Sequence, residues 1–252
     1  MEFFIMLAGF ILASYSVVGN DVIQTLGTFL TSNENKLPWW GLWLYAGGIM
    51  AAILVLGYFG WGEWLGGNDV AFDRLDKIVY QVNDNGKFVD ASGAVTTDMS
   101  ARVPIERNLT WWYLLPPLIL LFITRLGIPV STTFLILTFF SSGSLPGMLN
   151  KSLFGYAIAF VLAWLMYVWL SKKLEKVFIK TDLDSDQKGL WTNTRFWTAA
   201  QWLSTGFLWS QWLSQDLANI YVYLGNPEKL SPGLFFFSLA ILLSLLAFIF
   251  YQ

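Results

Sequence analysis

Four stretches of the sequence are long and apolar enough to cross a lipid bilayer, and they constrain the fold more than any other feature. They are Phe3–Val18, Trp39–Trp61, Leu153–Leu170 and Leu234–Tyr251. A bilayer core of roughly 30 Å takes about 20 apolar residues as a helix. Only 13% of the residues are charged, which is about half the share of an average soluble domain. These features predict an all-α integral membrane protein.

Three further segments differ from these spans. Phe196–Leu224 is long enough to cross but more polar. Residues 110–141 contain two apolar stretches that are too short to cross, separated by a Gly-Ile-Pro break, and we interpret them as a re-entrant helical hairpin. Residues 62–108 form a charged insert in which Asn83–Gly86 separates two β-prone stretches, which predicts a small extramembrane β-hairpin.

The charges favour one orientation of the chain. Segment Ser171–Arg195 has six Lys and Arg residues, against five in the insert. The positive-inside rule therefore places Ser171–Arg195 in the cytoplasm and the insert outside. We expect an integral protein of the bacterial inner (plasma) membrane.

The composition also excludes several function classes. The sequence has no cysteine and no histidine, so it cannot form disulfides, His/Cys metal sites, Ser-His-Asp triads or Cys nucleophiles. Its net charge is −2 and no basic stripe is present, which argues against a nucleic-acid partner. We expect a protein that is not an enzyme.

Asp21 and Asp216 stand inside otherwise apolar segments. An ionised carboxylate at the centre of a membrane helix costs roughly 2.5–3.5 kcal/mol, so membrane proteins seldom retain one without a use. The alternative is that each aspartate caps a helix near an interface. If they are functional, carboxylates without nearby Lys or Arg suit a hard cation such as sodium, with added oxygen ligands from Asn20, Gln24 and Asn219.

A second polar cluster, Pro129-Val130-Ser131-Thr132-Thr133, follows the break in the hairpin. Proline at a helix start, capping hydroxyls and free N–H groups together form an anion cradle. The alternative is a buried, hydroxyl-capped helix without a ligand. Arg125 either faces this anion or extends to the membrane interface, and we favour the interface.

The number of crossings between the two aspartates is odd, whether or not the hairpin crosses. The helices that carry Asp21 and Asp216 would then run in opposite directions, as in the inverted-topology repeats of secondary transporters. This interpretation divides the chain into a first repeat, a cytoplasmic loop and an incomplete second repeat. The first repeat is 1–175, with spans 3–31, 39–61 and 152–170, hairpin 110–141 and insert 62–108; the loop is 176–194 and the second repeat 195–252.

These residues resemble the inorganic phosphate transporter (PiT) family, whose members have two G-A-N-D-V-A-N-A signatures and two P-S-T-T-H hairpin motifs. Gly19-Asn20-Asp21-Val22 is similar to the first signature, and Ser214-Gln215-Asp216-Leu217-Ala218-Asn219 to the second. Pro129–Thr133 matches the hairpin motif, with Phe134 in place of His. Gln24 and Gln215 are further departures and indicate a divergent member.

The resemblance implies symport of inorganic phosphate, coupled to sodium or protons, by alternating access in a helical homodimer. It assigns phosphate binding to Ser131, Thr132 and Thr133. It assigns cation binding to Asn20, Asp21, Asp216 and Asn219, with sodium at the two aspartates and Gln24, Thr25 and Gln215 as secondary candidates. The coupling ion is the only cofactor implied, and the partners are phosphate, sodium and the lipid bilayer.

The resemblance also implies that the chain is C-terminally truncated. Asp21 and Ser131 are 131 − 21 = 110 residues apart, whereas only 252 − 216 = 36 residues follow Asp216. We therefore expect the second hairpin to be missing.

Two other functions stay open at this point. One is a non-transporting relative that acts as a receptor or accessory subunit. The other is an intramembrane aspartyl protease, since two aspartates on facing helices can form an acid–base dyad.

Overall fold

A computed structural model describes most of the chain, namely residues 2–59, 75, 79–84, 87–105, 109–127, 131, 136, 139–140, 145–173, 194–225 and 230–252. These residues are mostly helical. They belong to two compact units, one containing Met1–Ser141 and Trp202–Gln252 and the other Ser142–Gln201.

Among the described residues, four helical runs are long and apolar enough to cross a membrane. They are Phe3–Asn33, Trp39–Tyr58, Ser152–Trp169 and Pro232–Tyr251. The prediction of an all-α membrane protein is confirmed. The more polar segment from Phe196 does form a helix, but its polar side chains keep it outside this group of four.

The first aspartate lies on a helix that changes its winding at that residue. Helix α1 covers Glu2–Asp21, a five-residue π-helical turn covers Val22–Leu26, and α2 covers Gly27–Asn33. Helix α3, Trp39–Tyr58, follows after Pro38, whose extended backbone separates the two helices. Because α3 contains no charged residue, it can lie entirely within the bilayer.

The second aspartate has a similar setting. Helix α6 covers Thr194–Trp212. It continues as a π turn over Leu213–Leu217 and then as a 3-10 helix over Ala218–Tyr223. The last helix, α7, covers Pro232–Tyr251, and the Ser231 hydroxyl accepts a hydrogen bond from the Leu234 N–H at its start. Each aspartate-bearing helix is thus followed by an apolar helix of 20 residues.

The hairpin region begins with a 3-10 turn, Trp111–Leu114, and helix α4, Leu115–Arg125. Two prolines stand in the first turn of α4, where their missing N–H groups break no helical hydrogen bond. The helix ends at Arg125, and Gly127, two residues later, has a φ of +70°, which suits glycine after a helix C-terminus. Most of the predicted second arm, Val130–Phe140, lies outside the described residues, so the hairpin stays a prediction.

The core of the first unit is the contact of α1 with α4 and α7, and of α3 with α7. Aromatic side chains in this unit donate hydrogen bonds to backbone carbonyls of neighbouring helices. Trp209 donates to the Ala46 carbonyl over 3.0 Å, and Trp43 donates to the Leu243 carbonyl over 3.1 Å. Tyr45 donates to the Trp202 carbonyl and packs its ring against Phe29 and Trp202.

The second unit contains helix α5, Leu145–Leu165, which continues as a π turn over Met166–Ser171. Within the span Ser152–Trp169, no residue of the most apolar window is buried. A helix that is apolar all round is suited to lipid.

The insert differs from the predicted β-hairpin. Val82 pairs with Phe88 across the expected turn, and the Asn83 N–H donates to the Lys87 carbonyl over 2.9 Å. The described part of the insert nevertheless has isolated antiparallel bridges and no strand. The chain turns again at Asp90, and Tyr80 pairs with Pro104, so the pairing in the described part of the insert is divided among separate single bridges.

Asp90 organises a turn that we expect to depend on pH. Its carboxylate accepts bonds from the Ser92 hydroxyl, the Ser92 N–H and the Ala94 N–H, and these bonds lower the pKa of Asp90, the hydroxyl most. The turn is therefore stabilised above the ordinary aspartate pKa of about 4, and this stabilisation is lost as the pH falls through the lowered pKa.

Hydrogen exchange at the Ala94 amide, corrected for its intrinsic rate, tests this expectation. Protection should decrease in acid in the wild type but not in Asp90→Asn, since the amide oxygen still accepts and does not titrate in this range. Equal protection at every pH in both proteins would contradict the assignment.

Candidate functional site

Both buried aspartates lie where an α-helix becomes a π-helix. Asp21 is the last residue of α1, directly before the π turn Val22–Leu26, and Asp216 lies inside the π turn Leu213–Leu217. A π turn changes the i→i+4 ladder locally and is frequent at functional sites. A third such turn, Met166–Ser171, contains no acidic residue, so the winding alone does not define the site.

The polar side chains around these turns are buried. Asn20 and Asp21 are each 3% exposed, Asp216 is 6% exposed and Asn219 is 1% exposed. The sequence predicted these four as cation-binding residues, and each lies in the first unit. Burial of carboxylates is unfavourable unless something compensates their charge.

Helix packing brings the two aspartate segments together. Helix α1 contacts both the π turn Leu213–Leu217 and the 3-10 helix Ala218–Tyr223. The carboxylates of Asp21 and Asp216 are close enough to repel each other. A pair of like charges in a low-dielectric setting favours the binding of a cation between or beside them.

Two amides hold the Asp21 carboxylate in place. The Asn20 side-chain NH₂ donates to Asp21 Oδ1 over 3.2 Å, and the Gln24 NH₂ donates to Asn20 Oδ1 over 3.1 Å. Gln24 is exposed, whereas Asn20 is buried. The chain of amides therefore extends from the surface to the carboxylate.

Thr25, a secondary candidate from the sequence, completes this turn. Its hydroxyl oxygen is buried and has no hydrogen-bond partner within the part of the chain that the structure describes. It follows Asp21 by four residues, so the two side chains lie on one side of the helix. A bound cation would give this oxygen a partner.

The helix of Asp216 is supported by two buried tyrosines. Tyr221 and Ser238 form a hydroxyl pair over 3.0 Å, and the Ser238 hydroxyl donates to the Phe235 carbonyl. The Tyr223 hydroxyl donates to the Tyr113 carbonyl over 2.8 Å. These bonds connect the segment after Asp216 to α7 and to the start of the hairpin region.

The predicted anion residues are placed only in part. Ser131 is exposed and lies outside any helix. Thr132 and Thr133 lie outside the described residues, as does the side chain of Gln215. The anion site therefore stays a prediction, while the structure brings the segments of Asp21 and Asp216 together.

Sequence reasoning missed several contributors. Ser238 and Tyr221 lie in segments that read as ordinary apolar helix and aromatic belt, and nothing in their spacing marks them. Thr124, whose hydroxyl oxygen is buried without a partner, precedes Arg125. A hydroxyl next to a charged residue at the end of a short apolar segment was the available signal.

Comparison with known proteins identifies no relative: no family model matches the chain, and no curated protein or solved structure matches it.

Proposed function

We propose that the protein is a secondary transporter that couples a cation, sodium or a proton, to the uptake of inorganic phosphate by alternating access. The observation that carries the proposal is the buried pair of Asp21 and Asp216, each at a π turn and each exerting repulsion on the other. A bound cation would relieve this repulsion. It would also lower the electrostatic free-energy cost of placing an anion near the two carboxylates.

The position of Asp21 in its span supports a role in transport. The span Phe3–Asn33 has 31 residues, and a bilayer takes about 20. Any 20-residue stretch of this span, from 3–22 to 14–33, includes Asp21. This position is consistent with a coupling-ion site inside the membrane.

A repeat, one requirement of the proposed inverted repeat, is supported by the order of the elements. Asp21 and Asp216 are 216 − 21 = 195 positions apart, and the starts of the following apolar helices, Trp39 and Pro232, are 232 − 39 = 193 apart. An interrupted helix and a 20-residue helix therefore occur twice at nearly the same spacing. In transporters with such repeats, the site lies where the two copies meet.

The anion half of the proposal comes from the sequence. The sequence of Pro129–Thr133 predicts hydroxyls and free N–H groups at a helix start without a negative charge, which would suit an oxyanion such as phosphate. The residues that would bind it are Ser131, Thr132 and Thr133. The choice of phosphate among oxyanions rests on the resemblance to the inorganic phosphate transporter family.

Radiolabelled phosphate uptake by the full-length protein in liposomes tests the proposal. We expect accumulation that requires an inward gradient of sodium or of protons and that excess unlabelled phosphate abolishes. Empty liposomes provide the background. If neither gradient drives uptake above that background, the proposal is wrong.

A further inference from the structure

Arg125 lies at the tip of the hairpin's first arm, as the last residue of α4. Its guanidinium donates to the Tyr15 hydroxyl over 3.0 Å and lies 5.9 Å from the centre of the Tyr15 ring. The side chain is exposed, and no ion pair involves it among the described residues. Most of its N–H donors are therefore available to a ligand.

The contact with Tyr15 fixes the depth of this charge. Any 20-residue stretch of the span Phe3–Asn33 includes Tyr15, and Tyr15 also lies within its apolar part. The guanidinium bonded to it therefore lies beside the apolar part of α1. This contact favours a position beside α1 over the membrane interface that the sequence alone favours.

A positive charge at such a depth normally faces a water-filled cavity or a bound partner, because lipid does not solvate it. Among the described residues the exposed side chain has one hydrogen bond, to a neutral hydroxyl, so a cavity or a ligand is needed for the rest of its solvation. A fixed guanidinium beside water attracts anions and repels the coupling cation.

The neighbouring residue presents a second unsatisfied donor. Among the described residues the buried Thr124 hydroxyl has no partner, and the Thr124 methyl lies 3.9 Å from where a side chain on Gly19 would begin. Tyr15 and Gly19 are one turn apart on the same side of α1, so Arg125 and Thr124 lie along one side of this helix. A hydroxyl and a guanidinium together are the donor set that oxyanions prefer.

We propose that Arg125, oriented by Tyr15 and assisted by Thr124, contacts the anion and sets its affinity, a role that rests on the proposed function. The guanidinium attracts the phosphate to the hairpin tip and favours its dianion over its monoanion. Tyr15 is a positioning residue, since its hydroxyl holds the guanidinium and touches no substrate in this arrangement.

Phosphate uptake kinetics of Arg125→Gln test the proposal. Loss of one charge-assisted contact should raise KM for phosphate about tenfold, with Vmax changed by less than about twofold, because the contact is made in the bound and transported states alike. Arg125→Lys should give a smaller increase. Tyr15→Phe, which keeps the ring and removes the hydroxyl, should raise KM about threefold by freeing the guanidinium.

The dependence on salt and pH separates an anion contact from a helix-packing role. In the wild type, KM for phosphate should rise with ionic strength. It should fall as the pH is raised and the phosphate dianion replaces the monoanion. Both dependences should be weaker in Arg125→Gln. Lys36→Gln removes the same charge from an exposed loop position and should leave KM unchanged.

Each outcome decides between the two proposals. Wild-type uptake with an unchanged KM and salt dependence in Arg125→Gln and Tyr15→Phe overturns the role of Arg125 alone. Absence of uptake by the wild type overturns both. If Arg125→Gln does not fold, the KM values of Arg125→Lys and Tyr15→Phe give the answer, and wild-type values in both contradict the proposal.

Discussion

Asp21→Asn and Asp216→Asn are each expected to reduce cation-driven phosphate uptake by at least about 100-fold. Removing one charge from a buried, compensated site costs about 3–5 kcal/mol, and each 1.4 kcal/mol is a tenfold change in affinity. Asparagine retains the size and one acceptor oxygen, so the result isolates the charge. Asp84→Asn, an exposed change in the insert, should have no effect.

The same variants should behave in the opposite way when no cation is present. Because Asp21 and Asp216 repel each other, either asparagine should raise the thermal stability of the purified protein in cation-free detergent. Added sodium should then stabilise the wild type, as any ligand of the folded state does, but not the variants. If sodium raises the melting temperature of wild type and variants equally, the aspartates do not bind it.

Gly9→Ala is expected to destabilise the protein by about 1–3 kcal/mol through overpacking. A Cβ on Gly9 would lie within 3.0 Å of two ring carbons of Tyr223. That ring cannot move aside, since its hydroxyl is bonded to the Tyr113 carbonyl and its face is packed against Phe140. Unfolding in mixed micelles of increasing SDS content measures the loss.

Two comparisons show whether the ring is responsible. Gly48→Ala, on α3, meets nothing within 4 Å and should be neutral or stabilising by about 0.5–1 kcal/mol, as alanine in a helix usually is. In a Tyr223→Leu background the ring is absent, so Gly9→Ala should cost far less. An equal cost in both backgrounds would mean that Tyr223 is not the obstacle.

Much of the fold could be predicted from the sequence because the bilayer imposes a simple length rule. The spans beginning near Phe3, Trp39, Leu153 and Leu234 all appear. The last three match their predicted limits within a few residues, whereas the first continues beyond the apolar stretch Phe3–Val18 to Asn33, close to the limit of the span 3–31. The few polar residues in the apolar segments were also informative, because a carboxylate such as Asp21 or Asp216 is rare in such a segment.

The helix winding and the side-chain contacts at the site could not be predicted from the length and hydropathy of the segments. A π turn has no composition of its own, so nothing in Val22–Leu26 distinguishes it from the α-helix around it. The partners of Arg125 and Tyr223 come from segments 110 residues away, and the sequence alone does not show which side chains meet. In the described part of the insert, the antiparallel pairing across the predicted turn is present only as isolated bridges, and the Asp90 turn follows directly after it.

The π turn after Asp21 also acts as a rotational offset in the first span. Compared with a continuous α-helix, it accommodates one additional residue and so turns everything beyond it by about 100°. Phe29 and Asn33 are buried in the resulting register. Shortening the turn by one residue would therefore direct these two side chains to a different face, even though the length and hydropathy of the span would hardly change. The face on which α2 packs is thus encoded by an inserted residue, and an alignment gap at this turn would carry more structural meaning than most substitutions beside it.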